Sequence, residues 1–466
     1  MSDGAEYRER VADALAGGAR FGALYASSDG GRAVVRTVLR LPDGALRWET
    51  ADATDGRVPS IVDIAPAAEW PEREAHDLYG TGFDGHEPLR PLADHTPELT
   101  RWTVPVSGPD AYQVAVGPIH AGVIESGHFR FHVVGDRILH LDARLFYKHR
   151  GLERAAAGVP LDDAIAYAAR ACAGCAVTNR VAYAHAAERL QGLRPTPAVA
   201  RARTLLLELE RLWNHLNDIS AVCAGVGLAA GTQRFAALCE EARRLNAELT
   251  GHRLLFDSVH VGGSRLAIGD DARRRARDTL GRLRAATAAS WRELVFNTTF
   301  QDRLIDVGAL ERADALAWGA TGPAARAAGL AEDVRADADG LLSYDGFRPA
   351  INERAAGDVR ARFEQRELEL AQTHDLLAGL LEEPVAPDAC AADTAPREQA
   401  AARVESPRGA TICVLERSGA AVARLHLRTG SYANWPVLAR VAPGNLLPDF
   451  PLINKSFELC YACADR

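Results

Sequence analysis

The sequence lacks several features that would assign it to common functional classes. Its 466 residues contain no apolar run near the roughly 20 residues that a membrane-spanning helix needs. The formal net charge is −8, and no basic stripe favours a nucleic-acid partner. The first residues are acidic and lack the apolar core of a signal peptide, which predicts a cytoplasmic chain. No fingerprint for a dinucleotide or a flavin is present, so we expect neither NAD nor flavin in this chain.

Four of the eight cysteines form two C-x-x-C pairs. One pair is Cys172 and Cys175, and the other is Cys460 and Cys463. Two thiols at this spacing lie on one side of a turn and can bind one metal centre, and four thiolates favour nickel, zinc or iron–sulfur iron. Zinc ribbons place their two pairs within roughly 15–20 residues of each other. These pairs lie much further apart, so the fold of a large domain must bring them together.

The other four cysteines are isolated in the sequence. In a cytoplasmic chain they are thiols rather than disulfides. We expect Cys223, Cys239 and Cys413 to be small buried hydrophobic residues, and we assign no role to Cys390.

Composition and local pattern predict an α+β protein with two regions. Residues 1–95 read as a small α/β domain, with strands at 33–40 and 46–50 and a helix at 70–80. A Pro-rich linker follows at 96–112. Residues 113–466 then form a large, mainly helical bundle domain with β-hairpins.

The helical region has a regular apolar period and two hairpins. The spacing predicts one hairpin over 128–147 and a second around Ser418-Gly419, with 383–405 as a linker or long loop. Thr196 and Pro197 begin a helix with an apolar stripe of Leu205, Leu209, Leu212, Leu216 and Ile219. Charged helix faces are usually solvated, so we expect solvent contact for its polar stripe of Glu208, Arg211, His215 and Asp218.

These motifs, in this order, resemble nickel–iron hydrogenase large subunits of the complex I-related, membrane-associated branch that includes formate hydrogenlyase. Residues 1–95 resemble the 30-kDa subunit of complex I, and the chain from Gly117 onward resembles its 49-kDa subunit. The matching segments besides the two cysteine pairs are Gly117-Pro118-Ile119-His120, His149-Arg150-Gly151-Leu152-Glu153, Glu210-Arg211-Leu212-Trp213-Asn214-His215 and Gly329 to Arg335.

The resemblance implies a nickel–iron centre that cleaves hydrogen heterolytically and reversibly. Cys172 and Cys460 would be terminal ligands of nickel. Cys175 and Cys463 would bridge nickel to an iron that carries carbonyl and cyanide ligands. Cys460 would also take part in catalysis.

Three further residues match functional positions of the family. Glu125 corresponds to the proton-gate glutamate, since a partly buried carboxyl next to a thiolate can relay protons. Arg408 corresponds to the arginine above the open metal position, where a permanent charge can polarise a bound species. Glu153 corresponds to a position that holds a cation in some relatives, which implies magnesium.

The sequence departs from the family at three places near the pairs. Ala173-Gly174 stands where Gly and an aliphatic residue are usual, and Asn179 replaces a frequent histidine. Glu458-Leu459 replaces the Asp-Pro that usually precedes the second pair. The ligand positions are kept, but their neighbours differ.

Two other functions remain open. One is a complex I-like subunit that binds quinone without nickel and iron, although such subunits lack these four cysteines. The other is a non-catalytic scaffold whose thiols hold zinc or no metal. Metal identity separates hydrogenase from both.

The hydrogenase interpretation requires partners. The remaining cysteines are not in cluster spacing, so electrons must pass to an iron–sulfur small subunit of the complex I 20-kDa type and a ferredoxin-like subunit. Integral membrane subunits would hold the chain on the cytoplasmic face of the membrane. Hydrogen and protons would be the substrates.

Overall fold

The computed structural model describes residues 3–120, 125–337 and 339–466, and its N-terminal region packs helices against a small antiparallel sheet. The sheet order is β1-β2-β3, and β4 pairs with β5 in parallel. The predicted strands and helix are confirmed, and α2 ends at Gly80, whose φ of 72° suits glycine. The elements are α1 (Asp3–Ala16), β1 (Arg20–Asp29), β2 (Arg32–Arg40), β3 (Leu46–Asp52), β4 (Arg57–Pro59), α2 (Glu69–Tyr79) and β5 (Gly82–Asp84), with a 3₁₀ turn at Pro66–Ala68.

A second three-stranded sheet follows, in the order β6-β7-β8. The predicted hairpin over 128–147 is confirmed, because β7 and β8 pair antiparallel with Phe131 opposite Leu141. Phe129, Phe131 and Val133 alternate along β7 and are buried. The elements are α3 (Leu99–Trp102), β6 (Tyr112–Val116), β7 (His128–Val134), β8 (Arg137–Arg144) and α4 (Leu152–Ala155).

The helical core is built around a 29-residue helix, α7. Its predicted start is confirmed, since the Thr196 hydroxyl accepts a hydrogen bond from the N–H of Val199 and Pro197 is the first residue. Its predicted apolar stripe is buried. Among the described residues, no helix combines the length and the apolarity that a bilayer crossing requires. The elements are α5 (Leu161–Ala169), α6 (Ala176–Gln191), β9 (Leu193–Arg194), α7 (Pro197–Gly225), α8 (Ala229–Thr250), β10 (Gly263–Ser264), α9 (Asp270–Val295), α10 (Thr298–Asp302), α11 (Arg312–Ala317), α12 (Gly322–Ala327) and α13 (Val359–Leu380), with 3₁₀ turns at Ala173–Cys175 and Val334–Ala336.

The prediction of a solvated polar stripe on α7 is wrong. Helix α13 packs across this face and supplies matching charged groups. Arg366 Nε lies 3.1 Å from a carboxylate oxygen of Asp218, and His215 Nε2 lies 3.0 Å from Glu369 Oε2. The stripe therefore belongs to an internal ion-pair network, in which each buried charge has a counter-charge. Its four members are all buried: Glu208, Arg211, His215 and Asp218.

The C-terminal region holds a third sheet and three helices. The predicted hairpin is confirmed as β14 and β15, but the prediction of a loop over 383–405 is wrong for its last part, where β13 lies. Ala401 packs against the N-terminal sheet, whereas Ala402 packs into the helical core. Burial on both faces removes the alternation of polar and apolar residues that identifies a strand. The elements are β11 (Asp388–Ala389), β12 (Ala391–Ala392), β13 (Gln399–Ser406), β14 (Gly409–Ser418), β15 (Ala421–Arg428), α14 (Gly430–Val441), α15 (Phe450–Phe457) and α16 (Tyr461–Asp465), with a 3₁₀ turn at Leu447–Asp449.

The N-terminal sheet packs directly on the third sheet. Tyr25 and Val38 share a buried cluster with Ile412 and Val414. The carboxylate of Glu416 accepts a hydrogen bond from the Tyr25 hydroxyl at 2.9 Å. The two regions are therefore joined by a packed and hydrogen-bonded interface.

Candidate metal centre

The structure brings the two C-x-x-C pairs together in the core. Cys172 and Cys175 lie in the turn between α5 and α6, and Cys460 and Cys463 lie at and within α16. The four Sγ atoms all lie within 4.8 Å of one another. Cys172, Cys175 and Cys463 are buried, and Cys460 is partly buried. The other cysteines lie outside this cluster, and Cys223, Cys239 and Cys413 are buried as predicted.

The turn that carries Cys172 and Cys175, which we call the first ligand turn, is held by a contact from α7. The N–H of Gly174 donates to Cys172 Sγ at 3.3 Å, and the Asn214 amide donates to the carbonyl of Gly174 at 2.8 Å. A Cβ at Gly174 would lie 3.6 and 3.8 Å from the sulfurs of Cys172 and Cys460, so glycine leaves the space beside them open.

A buried carboxylate holds the start of α6, directly after Cys175. Glu210 accepts hydrogen bonds from the N–H groups of Val177 and Thr178, at 2.6 and 3.1 Å. The N–H groups in the first turn of a helix have no partner within the helix, so an acceptor from another element, here Glu210 of α7, satisfies them. Glu210 therefore fixes the direction in which α6 leaves the ligand turn.

The turn that carries Cys460 and Cys463, which we call the second ligand turn, is held by contacts from α14 and from Thr429 directly before it. The N–H of Cys460 donates to the Ser431 hydroxyl at 3.0 Å, and Trp435 Nε1 donates to the carbonyl of Cys460 at 3.3 Å. The Thr429 hydroxyl donates to the carbonyl of Cys463 at 3.3 Å. The protein itself therefore holds this turn in place.

The pKa values of Cys172, Cys175 and Cys463 are shifted in different directions. Hydrogen bonds from the other three cysteines hold the pKa of Cys172 well below its ordinary value. Hydrogen bonds with Cys172 and Cys460 raise the pKa of both Cys175 and Cys463, and burial adds to that increase. Four thiolates this close repel one another, and a metal cation is what allows all four to lose their protons. Four clustered sulfur donors, three of them buried, therefore fit a soft or borderline metal centre such as nickel and iron.

Glu125 lies against the second ligand turn. Its Oε2 accepts a hydrogen bond from the N–H of Ala462 at 2.9 Å, between the two cysteines of the pair. Burial raises the pKa of Glu125, and the charge of Cys460 raises it further.

Arg408 lies next to the sulfurs and is tightly held. Its Nη2 donates to Asp218 Oδ1 at 2.8 Å, its Nε donates to the carbonyl of Glu458 at 2.9 Å, and its Nη1 donates to Asn214 Oδ1. Burial alone would lower the pKa of Arg408, but Asp218 and the sulfur of Cys460 raise it above its ordinary value. Asp218 and Asn214 were not predicted as site residues. Asp218 belongs to the polar stripe of α7, which was expected in solvent, and Asn214 lies in the segment Glu210 to His215 that matches the family.

Two of the departures from the family pattern lie at the cluster. Asn179 is fully buried one helical turn after Cys175, and neither polar atom of its side chain has a hydrogen-bond partner in the described part of the chain. Glu458 ends α15 at a φ of 50°. Burial and the nearby Asp218 raise the pKa of Glu458 to about 8.

The residues around Glu153 do not fit the predicted magnesium ion. Ligand atoms of Glu74, Glu153 and His426 do lie within 4.8 Å of one another. However, Glu153 Oε1 accepts from Arg466 Nη1 at 2.8 Å, and Oε2 accepts from Arg424 Nη1 at 2.9 Å. Magnesium needs near-octahedral oxygen ligands, and these oxygens already bind two guanidinium groups.

The fold and the site together define a large, mainly helical subunit with a thiolate-rich metal site. A family model described as the respiratory-chain NADH dehydrogenase 49 Kd subunit matches residues 226–393 and 388–466, and one for the 30 Kd subunit matches 11–101. An NADH-quinone oxidoreductase subunit of Salinispora arenicola is 32% identical over 361 residues, which cover 75% of this chain and 93% of that protein. The chain belongs to the family of the respiratory-chain NADH dehydrogenase 49-kDa subunit, and it carries a 30-kDa-type segment in addition.

Two further comparisons place the chain among related oxidoreductases. Formate hydrogenlyase subunit 5 of Escherichia coli strain K12 is 29% identical over 469 residues, which cover 94% of this chain and 82% of that protein. A chain of the archaeal membrane-bound sulfane sulfur reductase superimposes with a TM-score of 0.71 at 29% identity, over 77% of this chain and 99% of that chain. The predicted resemblance to the hydrogenase branch of the complex I-related subunits is confirmed.

Proposed function

We propose that this chain is the catalytic large subunit of a membrane-associated nickel–iron hydrogenase, which interconverts hydrogen with protons and electrons. The approach of all four C-x-x-C sulfurs to within 4.8 Å carries the proposal. Soft thiolate donors in a buried site suit nickel and iron, and a structural zinc site does not need ligand pairs from such distant parts of a large domain.

In this proposal the ligand roles follow the resemblance. Cys172 and Cys460 would hold nickel, and Cys175 and Cys463 would hold nickel and iron. When bound, the centre supplies the Lewis acidity that makes hydrogen acidic enough to lose a proton to a nearby base.

Glu125 is the proposed proton acceptor. The hydrogen bond from Ala462 holds its carboxylate between the two cysteines of the second pair, where a proton leaving the sulfur set would arrive. Arg408 fixes a positive charge beside the sulfurs of Cys460 and Cys175, and its ion pair with Asp218 holds it in one orientation. A charge fixed in advance stabilises negative charge that forms on the sulfur set during the reaction.

The proposal includes an assembly. Electrons pass to an iron–sulfur small subunit, further to a ferredoxin-like subunit, and integral membrane subunits hold the complex on the cytoplasmic face. Domain boundaries at 1–95, 96–112 and 113–466 belong to the same proposal. The relatives belong to multisubunit complexes, among them an archaeal respiratory membrane complex, which supports this arrangement.

The test is the metal content of the complex purified anaerobically from its native host. Elemental mass spectrometry should find nickel and iron near one each per chain, and infrared spectra should show bands of iron-bound carbonyl and cyanide. Zinc alone, or no metal in a folded complex, would overturn the proposal. A quinone-reductase assay on the same sample would then distinguish the complex I-like function from a scaffold.

A further inference from the structure

A buried ion cluster lies beside the second ligand turn. We call it the Glu153 cluster, and its members are Glu74, Glu153, Arg424, His426 and Arg466. Arg466 Nη1 donates to Glu153 Oε1 at 2.8 Å and also to the carbonyl of Leu427, and its Nη2 donates to Glu74 Oε2. Arg424 Nη1 donates to Glu153 Oε2 at 2.9 Å. The guanidinium of Arg466 thus joins α2, α4 and β15.

The charges of the Glu153 cluster are balanced without a metal ion. Two carboxylates, of Glu74 and Glu153, face two guanidinium groups, of Arg424 and Arg466. Burial lowers the pKa of His426, which disfavours a further positive charge there. Burial alone would raise the pKa of Glu153, but the charges of Arg466 and Arg424 and a hydrogen bond from His426 hold it well below its ordinary value. A divalent cation would therefore add two buried positive charges that no group of the cluster compensates.

We propose that the Arg466 guanidinium is the permanent cation of this cluster, at the position where the resemblance implies magnesium, and that it positions the second ligand turn. The inference goes beyond the proposed function, because it does not depend on which metal the thiols bind. Arg466 is a positioning residue in this proposal.

The geometry explains how a side chain can do the work of an ion. A guanidinium presents donors in a rigid planar fork, so it can fix several acceptors at once. The guanidinium carbon of Arg466 lies 4.6 Å from the ring centroid of Tyr432, so this aromatic ring packs against the face of the guanidinium group. The carbonyl of Arg466 also accepts from the N–H of Arg150 at 2.9 Å. Since Arg466 follows Cys463 by three residues, these contacts fix the end of the ligand turn.

A cavity gives external ions a route to the cluster. It has a volume of about 440 Å³ and is bordered by Glu74, Glu153, Arg424 and Arg466, with the exposed Arg154 on its wall. Removal of the Arg466 side chain would open two carboxylates to this cavity. We therefore expect the variant to acquire the magnesium dependence that the native protein lacks.

The experiment measures magnesium content and Tm in the purified complex, with EDTA and with Mg²⁺. The native complex should hold well under one magnesium per chain, and neither reagent should change its Tm. Arg466→Ala should lose several degrees in Tm, gain bound magnesium and recover Tm when Mg²⁺ is added. Arg466→Lys should recover part of the Tm without magnesium. Arg154→Ala, which removes an exposed arginine from the same cavity, should behave as the native complex.

Each outcome decides the proposal. One tightly held magnesium per chain in the native complex overturns it, and so does an Arg466→Ala complex with native Tm and no response to Mg²⁺. If Arg466→Ala does not assemble, Glu74→Gln replaces it: the proposal predicts a smaller loss of Tm with no magnesium gained, and an unchanged Tm contradicts it. Nickel and iron are measured in the same purified samples. A complex that contains neither metal would contradict the proposed hydrogenase function, and the magnesium content and Tm would still decide the inference about Arg466.

Discussion

Two glutamates contact the same short turn, and their pKa values are shifted in opposite directions. Glu125 meets the N–H of Ala462, and burial together with the charge of Cys460 raises its pKa. Glu153 meets the guanidinium of Arg466, and the cations around it outweigh burial and hold its pKa well below the ordinary value. The difference lies in their partners, since both carboxyls are removed from bulk water.

The comparison distinguishes a carboxyl suited to proton transfer from a carboxyl suited to a structural role. A carboxyl whose neighbours do not fix its charge can exchange a proton, as a relay beside a reacting centre must. A carboxyl with two guanidinium partners stays charged and acts as a structural anchor. The sulfur cluster extends the argument, because its four donors need a cation from outside, whereas the Glu153 cluster already contains its own.

The largest expected effect comes from removing a sulfur. Cys175→Ser and Cys463→Ser each replace a soft donor by a hard hydroxyl, which binds nickel and iron poorly. We expect both metals to be lost and hydrogen oxidation to fall to the background. Cys223→Ala, at a buried cysteine outside the cluster, should keep metal content and activity. Metal retained at native levels in either serine variant would remove that cysteine from the proposed ligand set.

Glu125→Gln tests the relay side of the comparison. The amide keeps the shape of the carboxyl but cannot take up a proton, and general acid–base groups contribute typically 10²–10⁴-fold to rate. We expect hydrogen turnover to fall by about that factor while nickel and iron contents stay native. The exposed Glu98→Gln serves as the control. Native turnover in Glu125→Gln would place the proton acceptor elsewhere.

Glu153→Gln tests the anchor side. Removing one partner of a buried ion pair leaves an uncompensated charge and costs about 3–5 kcal/mol. Because Arg424 and Arg466 both lose their shared carboxylate, we expect a lower Tm and weaker retention of the thiol-bound metals, without a change in the pH dependence of turnover. Glu98→Gln again controls for the loss of one charge. A Tm equal to that of the control would mean that the cluster does not stabilise the fold.

The comparison also shows how far the sequence could lead. The two C-x-x-C pairs were recognisable because the spacing within each pair is local, and α7 was predictable because its cap and apolar period are local as well. The structure confirms the helix and brings the four sulfurs together. Glu125 and Arg408 came from the resemblance alone, and their roles stay proposals.

The features that were not predicted depend on tertiary contacts. Asp218 and His215 were expected in solvent because a charged stripe usually is, and only the packing of α13 shows that each has a buried counter-charge. Strand β13 was missed because it is buried on both faces. The ion pair of Glu153 with Arg466 was not predicted for the same reason, since it joins residues far apart in the sequence. None of these contacts has a local signature.

The smallest expected effect concerns a buried histidine. His374 on α13 is buried, neither ring nitrogen has a hydrogen-bond partner in the described residues, and burial lowers its pKa from 6.5 to about 4. A histidine with a depressed folded pKa contributes stability that is present above its unfolded pKa of 6.5 and is lost as the pH falls towards 4. Between pH 8 and pH 5 this loss amounts to about 2 kcal/mol.

His374→Leu isolates that contribution. Leucine cannot be protonated, so the fall in Tm from pH 8 to pH 5 should be smaller in the variant than in the native complex, whatever the two values are at pH 8. Comparing slopes rather than single values cancels the packing change that the substitution itself introduces. Equal slopes would show that His374 gains a partner for its proton when the pH falls. A reduced slope would add a third case to the comparison: a buried group whose pKa is lowered because burial outweighs the favourable charge of the nearby Asp375.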